Sequence, residues 1–314
     1  MTLKLEALPG NGPFGALVRG IRPSDLQDAA VRERLRALWI DRGVIVFRDT
    51  DATAQLQIEL SRVFGELEAH PNVEAHVDGA RELVHIRYQP DDGDLCDVDG
   101  VMRGGYLPWH SDLVYVDKIN RGGILRPIYL PATGGETGFI DQIAAYARLP
   151  IQLQARIELL DVIYRPDFVQ GNKKFGRRVR TLRMSALAQR IIARVANAPR
   201  VLHPMVYVQH ETGRRVLNVS PWFAVGIHGM ENEQGDVLLE EVVQYCEDID
   251  HAYVHRWQPG DMVLWDNWRM LHSAYGVAPG DARHMQRTTI RGDYALGRIE
   301  PGAAQIDAAL RVSI

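Results

Sequence analysis

Hydrophobic residues near the start of the chain recur at helical spacing. The segment from Ser24 to Gly43 begins with a capping-box pair, Ser24 and Gln27, continues with an apolar stripe and ends at a glycine, which predicts a helix. Gly43–Asp49 is a short apolar run with several β-branched residues, which is typical of a buried strand. A second amphipathic helix is predicted from Leu56 to a stop at Gly65.

From about Leu83 onward the pattern changes to short strand-like runs separated by turn residues. The predicted strands are Ile124–Leu130, His203–Gln209, Arg215–Ser220, two runs within His255–Asp266, and Arg287–Tyr294. Two helices interrupt them, one from Asp141 to Pro150 and one across Val237–Ile249. Many short strands with few helices predict a mainly β fold, a sandwich or barrel with helical decoration.

The composition is that of an ordinary globular protein. The chain has 314 residues, of which 46% are hydrophobic and 24% are charged, so it can bury a large core. This length alone would permit two domains, but the sequence contains no Pro/Ser-rich linker, no repeat and no heptad run. We therefore expect one elaborated domain over residues 1–314.

Charge and cysteine content exclude several classes of protein. The formal net charge is −4, so no overall basic field favours nucleic acid. Cys96 and Cys246 lie far apart and form no CxxC, which argues against a disulfide framework or a zinc knuckle and fits a reducing cytoplasm. The N-terminus has no apolar signal core, and no apolar run approaches the roughly 20 residues that span a bilayer. We expect a cytoplasmic homo-oligomer that binds neither nucleic acid nor membrane.

One stretch, from Phe168 to Arg200, contains nine lysine and arginine residues and no acidic residue. It can be a solvated, partly helical insertion that pairs with acidic surface elsewhere, or a mobile lid that attracts an anionic substrate. We expect the first, because a block of like charge more often solvates a face than forms a site.

The first candidate for chemistry is the H-x-D of Trp109-His110-Ser111-Asp112. On a β-strand, residues i and i+2 point to the same face, so His110 and Asp112 could converge on one metal ion. An H-x-D alone is a weak signal, because a chain with 11 histidines contains such a pair readily by chance. The alternative is a strand histidine with a nearby charge partner.

Residues far downstream strengthen this signal. A strand-like run that ends in Trp265-Asp266-Asn267 is followed by His272, and Arg283 and Arg287 lie 11 and 15 residues beyond that histidine. Two histidines and one carboxylate form the facial triad of non-haem Fe(II) oxygenases, which leaves three positions open. A 2-oxo acid can occupy two of them and dioxygen the third, and an arginine is the natural partner for a distal carboxylate.

These pieces lie along a chain that resembles the taurine dioxygenase / 2,4-dichlorophenoxyacetate dioxygenase (TauD/TfdA) family of Fe(II)/2-oxoglutarate oxygenases. Each piece is weak alone, but their order and spacing together are specific. The matching segments are Gly15–Ile21, Gly43–Asp49, Phe64–Pro71, Trp109–Asp112, Pro131–Thr137, Leu202–Pro204, Arg256–Asn267, His272 and the R-x-x-x-R at 283 and 287.

The resemblance implies a double-stranded β-helix, the jelly-roll of cupin-like proteins, with Fe(II) as cofactor and 2-oxoglutarate and O2 as co-substrates. The iron ligands that it implies are His110, Asp112 and His272. The presence of Asp112 favours hydroxylation, because related halogenases lack a carboxylate at that position.

The resemblance also implies binding roles for four residues. Thr137 and Arg283 match the residues that hold the distal carboxylate of 2-oxoglutarate. Arg287 and His70 match positions that face the substrate in sulfonate-oxidising members. Each has a structural alternative: Thr137 could simply begin a strand, His70 could end a helix, and Arg287 could support the fold.

The chain departs from the family pattern at several aromatic positions. Trp268 follows Trp265-Asp266-Asn267 where an arginine is usual, which puts the packing behind the iron ligands in doubt. Tyr106 and Trp222 replace more polar residues, and Phe223 occupies a position where an aromatic is common. Tyr106, Trp222 and Phe223 suggest an apolar, aryl-accepting pocket, although ordinary core packing would also explain them.

The predicted substrate is a small organic anion: a sulfonate, an alkyl sulfate or an aryloxyalkanoate-like carboxylate. Its hydroxylation would be coupled to decarboxylation of 2-oxoglutarate to succinate, and the hydroxylated product could then break down. Two other classes remain open. A metal-dependent hydrolase could use the same three ligands to activate water, and a non-catalytic jelly-roll binding protein could keep the fold without chemistry.

Overall fold

The computed structural model describes residues 4–9, 14–69, 76–77 and 79–302. The helices in these ranges are α1 (Ala29–Arg42), α2 (Ala54–Phe64), α3 (Gln142–Arg148), α4 (Ile151–Ile157), α5 (Ala186–Val195) and α6 (Glu233–Cys246), with 3-10 turns at Pro23–Gln27, Gln170–Asn172 and Ile249–His251. The strands are β1 (Lys4–Glu6), β2 (Ala16–Arg19), β3 (Val44–Arg48), β4 (Leu67–Glu68), β5 (His76–Val77), β6 (Ala80–Tyr88), β7 (Leu95–Val98), β8 (Val101–Gly104), β9 (Leu107–His110), β10 (Gly122–Tyr129), β11 (Thr137–Asp141), β12 (Asp161–Tyr164), β13 (Arg180–Arg183), β14 (Val201–Pro204), β15 (Val206–Val208), β16 (Arg215–Leu217), β17 (Ala224–Ile227), β18 (Tyr253–His255), β19 (Met262–Asp266), β20 (Met270–Ala274), β21 (Arg283–Ile290) and β22 (Arg298–Ile299).

A nine-stranded sheet forms one layer, in the order β1-β2-β3-β19-β10-β21-β6-β5, with β4 paired to β21. The pleat of β3 shows how this sheet is buried on both faces. Ile45 and Phe47 pack with the cores of α1 and α2, whereas Val44 and Val46 point into the opposite core. A strand that is buried on both sides reads as a continuous apolar run, and this is why Gly43–Asp49 was identifiable from sequence.

A four-stranded sheet, β18-β11-β20-β9, forms the facing layer. Phe139 on β11 and Met270 on β20 share one buried cluster with Leu125, Val263 and Met285 of the large sheet, so the two sheets pack face to face. This arrangement confirms the predicted mainly β, jelly-roll fold, and it matters for function because His110 and His272 lie on the small sheet whereas Arg283 and Arg287 lie on the large one.

Two helical predictions near the N-terminus have different outcomes. The second helix is confirmed as α2, but the first begins at Ala29 and not at Ser24. The side chain of Asp28 caps it by accepting from the amide of Ala30, and the residues around Ser24 form a 3-10 turn. The α-helix starts later than predicted because Pro23 begins a tighter 3-10 turn, and Asp28, just after that turn, supplies the α-helical cap.

Three strand predictions need adjustment. The run His203–Gln209 is divided into β14 and β15, which belong to different sheets. The predicted strand Arg215–Ser220 ends at Leu217 as β16, and it pairs in an antiparallel hairpin with β15 alone. The last long strand, β21, begins at Arg283, four residues before the predicted start, so Arg283 and Arg287 lie on one strand and on the same face.

The basic stretch 168–200 forms part of two small structures, the sheet β13-β7-β8 and the helix α5. Its charges pair with acidic groups elsewhere in the chain, as expected from the sequence. Lys174 lies 2.7 Å from Asp236, and the buried amine of Lys173 pairs with Glu247. Arg177, Arg180 and Arg200 also form ion pairs, with Asp99, Asp97 and Glu231 respectively.

No helix among the described residues is both long enough and apolar enough to span a lipid bilayer.

Candidate active site

His110 and His272 face each other across the small sheet. His110 is the last residue of β9, and the antiparallel register pairs it directly with His272 on β20. Paired residues on adjacent strands share a face, so the two rings lie with their centroids 4.2 Å apart. Two side chains separated by 162 positions are therefore brought together by one ladder of hydrogen bonds.

Both imidazoles are in the form that a metal requires. Nδ1 of His110 lies 2.7 Å from the carbonyl oxygen of Pro108 and must donate to it, which leaves the lone pair of Nε2 available. Burial lowers the pKa of His110, and burial together with the neighbouring His110 ring lowers the pKa of His272 to about 3. Neutral imidazole is the ligand form of histidine.

Asp112 completes the group, but not by the route predicted from sequence. The strand ends at His110, and Asp112 lies in the following turn, so the pleat does not direct its side chain. Its Oδ1 lies 3.8 Å from Nε2 of His110 and 3.9 Å from Nε2 of His272. The three ligand atoms lie within 4.8 Å of one another, close enough to share one ion.

Asn267 holds the main chain of Asp112 on both sides. Its side-chain oxygen accepts from the Asp112 amide at 2.7 Å, and its side-chain nitrogen donates to the Asp112 carbonyl at 3.0 Å. The preceding amide, of Ser111, donates to the hydroxyl of Ser220 at 3.0 Å. Sequence reasoning did not assign a role to Asn267, although its place in the Trp265-Asp266-Asn267 motif was the available signal.

Arg287 lies beside the ligand carboxylate, with its Nη1 3.2 Å from Oδ2 of Asp112. Burial alone would raise the pKa of Asp112, but the positive charge of Arg287 opposes this effect and the pKa is lowered. Asp112 is therefore a carboxylate in this site. Two neutral imidazole nitrogens and one carboxylate oxygen form a donor set that fits Fe(II) with open positions.

A second polar group lies where the two sheets meet. Arg283 is buried; its Nε donates to the carbonyl of Gly135 at 3.2 Å and its Nη2 lies 3.5 Å from the hydroxyl of Thr137. Within the described ranges no carboxylate forms an ion pair with Arg283, and burial lowers its pKa to about 10, against the opposing effect of Glu136. A buried cation of this kind is suited to an incoming anion.

The hydroxyl of Thr137 can donate a hydrogen bond to the same incoming anion. The indole nitrogen of Trp257 donates to Thr137 Oγ1 at 3.1 Å. Because that oxygen already accepts one hydrogen bond, the hydroxyl hydrogen is available to donate to a carboxylate. Thr137 and Arg283 thus offer donors side by side, as the resemblance implied, and Trp257 is a further member that sequence reasoning did not identify.

Aromatic side chains pack edge to face against His110. The ring of Trp222 lies 5.2 Å from that of His110, edge to face, and stacks on Phe223 at 4.5 Å. Phe168, from the basic stretch, and Tyr115 complete this group through contacts with Phe223 at 5.5 and 4.9 Å. Trp222 and Phe223 therefore lie together beside His110, as buried members of the hydrophobic core.

The other predicted residues have different placements. Tyr106 is separate from this aromatic group, because its ring packs in a small cluster with Cys96, Val98 and Val179. His70 lies outside the described residues. The ring of Trp268 lies 4.1 Å from the guanidinium of Arg121. The main-chain carbonyl of Arg121 in turn accepts from the amide of Asn267, so Trp268 packs behind the site without disturbing it.

Comparisons with known proteins add independent findings. The family model described as Taurine catabolism dioxygenase TauD, TfdA family matches residues 4–289. The (S)-phenoxypropionate/alpha-ketoglutarate-dioxygenase of Sphingobium herbicidovorans is 31% identical over 295 residues, which cover 94% of this chain and 98% of that protein. The alpha-ketoglutarate-dependent sulfate ester dioxygenase of Pseudomonas putida is 28% identical, with coverage of 94% and 92%. The crystal structure of a taurine dioxygenase from Burkholderia xenovorans matches with a TM-score of 0.73 at 25% sequence identity, covering 99% of this chain and 98% of that one.

Proposed function

The chain belongs to the TauD/TfdA family of dioxygenases, and from this premise we propose that it hydroxylates an aryloxyalkanoate-like carboxylate at a metal centre formed by His110, Asp112 and His272. It is a 2-oxoglutarate-dependent dioxygenase that acts on a small organic anion, with Fe(II) as cofactor and O2 as co-substrate. The observation that carries the assignment of the site is the convergence of the three ligand atoms within 4.8 Å.

When bound, Fe(II) supplies the activation of dioxygen that is coupled to decarboxylation of 2-oxoglutarate to succinate. The protein residues do the rest of the work. His110 is fixed in its tautomer by the Pro108 carbonyl, and Asp112 is kept ionised by Arg287, so the three ligands are ready to bind without rearrangement of protons. The surrounding aromatic rings exclude water from that face of the site.

Arg283 and Thr137 are proposed to bind the distal carboxylate of 2-oxoglutarate. The buried guanidinium supplies the charge, and the hydroxyl, oriented by Trp257, supplies a second donor. A hydrolase that merely activates water at the metal would need no second anion site. This pair therefore favours the oxygenase over the metal-dependent hydrolase, and the intact donor set argues against a non-catalytic binding protein.

The proposed substrate class follows from the groups beside the ligands. Arg287 places a buried positive charge next to Asp112, which suits an anionic head group. Trp222 and Phe223 place aromatic rings beside His110, and Phe168 packs behind them, which suits an aryl body. A phenoxyalkanoate combines both properties, whereas a short alkyl sulfonate has the anionic head group but no aryl body.

The experiment is a substrate comparison with Fe(II) loaded under anaerobic conditions and succinate measured after O2 is admitted. A 2-phenoxypropionate, an alkyl sulfate and an alkyl sulfonate are compared at equal concentration. We expect the fastest O2- and 2-oxoglutarate-dependent succinate formation with the phenoxypropionate. The variant His110→Ala should abolish turnover, and the exposed His210→Ala serves as its matched control.

Three results would contradict the proposal, each in a different part. Faster turnover with the sulfonate would refute the substrate class while leaving the chemistry intact. Product formation without O2 or 2-oxoglutarate would support a hydrolase. Unchanged turnover in His110→Ala would refute the assignment of that ligand.

A further inference from the structure

The position of Asp112 raises a question that the strand geometry does not answer. The histidine ligands are fixed by the β9–β20 register, but Asp112 lies two residues beyond the end of β9. The next residue, Leu113, has a backbone φ of 60°, in the left-handed region that a leucine rarely adopts. Something other than the pleat must hold this turn in the conformation that directs the carboxylate to the histidines.

The side chain of Asn267 makes the bonds that can do so. It accepts from the amide and donates to the carbonyl of Asp112, at 2.7 and 3.0 Å, so both polar groups of that residue's main chain are engaged. Its nitrogen also lies 3.0 Å from the side-chain oxygen of Asn120, further along the same loop. Asn267 is 1% exposed, so water does not compete for these hydrogen bonds.

Asn267 is itself held firmly. Its main-chain amide donates to the carbonyl of Arg121 at 2.9 Å, and the guanidinium of Arg121 lies over the rings of Trp39 and Trp268, 5.1 and 4.1 Å from their centroids. Asn267 also belongs to the short turn that joins β19 to β20, five residues before His272. The same turn therefore leads into β20, which carries His272, and hydrogen-bonds to the main chain of Asp112.

We propose that Asn267 is a positioning residue that fixes Asp112 relative to His272 and thereby sets the affinity of the site for a divalent metal. The inference rests on the proposed function in one respect, that His110, Asp112 and His272 bind the metal. Asn267 touches neither the metal nor a substrate in this role. Its contribution acts through the main chain of Asp112, and its loss should weaken metal binding much more than it weakens the fold.

The test is the equilibrium binding of Co(II), a spectroscopic substitute for Fe(II), to the full-length protein. Dissociation constants are measured by the visible absorption of the bound ion for the wild type, Asn267→Ala and Asn267→Asp. We expect Asn267→Ala to bind Co(II) about 10- to 100-fold more weakly, the usual effect of removing a group that orients a ligand. Asn267→Asp keeps the acceptor for the Asp112 amide but turns a carboxylate oxygen toward the carbonyl oxygens of Asp112 and Asn120, so its affinity should fall at least as far as that of Asn267→Ala.

The matched control is Asn218→Ala. Asn218 is a partly buried asparagine whose side-chain nitrogen also makes two hydrogen bonds, to the carbonyl of Pro204 and the hydroxyl of Tyr294, both at 2.8 Å. This variant should lose thermal stability, as Asn267→Ala does, but retain wild-type Co(II) affinity. The dissociation constant of 2-oxoglutarate at saturating metal should remain near the wild-type value in both asparagine-to-alanine variants.

A measurement on the unaltered protein keeps the proposal testable if Asn267→Ala does not fold. The amide of Asp112 should exchange with deuterium much more slowly than amides of exposed turns in the metal-free protein. Rapid exchange there, or Co(II) affinity in Asn267→Ala equal to that of the wild type, would overturn the role of Asn267. Wild-type affinity in His110→Ala would instead overturn the metal site itself, so the two failures are distinguishable.

Discussion

The charge of Arg283 gives the sharpest quantitative prediction. Substitution Arg283→Gln removes the positive charge from a buried position while leaving a polar side chain of moderate length. The guanidinium donates to Gly135 and lies beside Thr137, and the rest of its donor fork remains for a ligand. In the proposed complex that fork binds the distal carboxylate of 2-oxoglutarate, so the substitution should weaken 2-oxoglutarate specifically.

The size of the effect follows from the bonds lost. A hydrogen bond to a charged partner contributes about 1.5–2 kcal/mol, so a forked pair contributes about 3–4 kcal/mol. Since 1.4 kcal/mol is a factor of ten, the dissociation constant of 2-oxoglutarate should rise by about 100- to 1000-fold. The co-substrate analogue 2-oxovalerate has no distal carboxylate, so its binding should change little.

The assay is the anaerobic titration of Fe(II)-loaded enzyme with each oxo acid, followed by the metal-to-oxo-acid charge-transfer absorption. Thermal unfolding confirms that the variant is folded. The control is Arg148→Gln, a partly buried arginine on α3 that bonds the carbonyl of Tyr245 and should leave both affinities unchanged. If Arg283→Gln weakened 2-oxovalerate as much as 2-oxoglutarate, the carboxylate role of Arg283 would be refuted.

Three further predictions concern binding and stability. Trp257→Phe removes one neutral hydrogen bond to Thr137 and should raise the dissociation constant of 2-oxoglutarate about 3- to 10-fold, and an unchanged constant would show that the hydroxyl needs no orientation. Arg269→Met leaves the buried carboxylate of Asp141 without its bidentate partner and should cost about 3–5 kcal/mol of unfolding free energy in urea; a cost below about 1 kcal/mol would contradict this account. Burial lowers the pKa of His203 to about 4, below its unfolded value of about 6.5, so its contribution to stability is present above pH 6.5 and is lost as the pH falls toward 4. His203 should account for about 2 kcal/mol of the loss between pH 7.5 and pH 5, so the decline in unfolding free energy should be about 2 kcal/mol smaller in His203→Gln than in the wild type, whereas an equal decline would exclude His203 as a cause.

The sequence was sufficient for the class of fold and for the buried elements with the strongest patterns. Continuous apolar runs predicted β3 and most of β10, and the apolar face predicted α2, because burial on two faces or one leaves a direct trace in the residue order. Ends of elements were less accessible. The helix start moved from Ser24 to Asp28 because several polar residues compete as caps, and only the three-dimensional turn decides between them.

The candidate site was predictable in membership but not in geometry. The H-x-D, the distant histidine and the spaced arginines identified the ligands, yet the reason given for Asp112 was wrong, because the strand stops at His110. No pattern along the chain shows that Asn267 reaches back across 155 positions to the Asp112 main chain. Hydrogen bonds between residues this far apart in one chain depend on the order of strands in the sheets, which the local sequence does not encode.

One face of strand β21 carries the two arginines of the candidate site, and the other side of the strand contacts helix α2. Arg283 and Arg287 project into the sandwich. On the side of α2, the main-chain carbonyl of Gln286 accepts from Gln57 at 3.0 Å, and the hydroxyl of Thr288, the residue after Arg287, lies 2.7 Å from the hydroxyl of Ser61. Helix α2 thus supports the part of β21 that spaces Arg283 and Arg287, although α2 contacts no proposed ligand. A mutant library confined to the residues around the metal would leave these contacts of α2 unchanged. A library selected for a longer or shorter substrate should therefore also include the residues of α2 that contact β21.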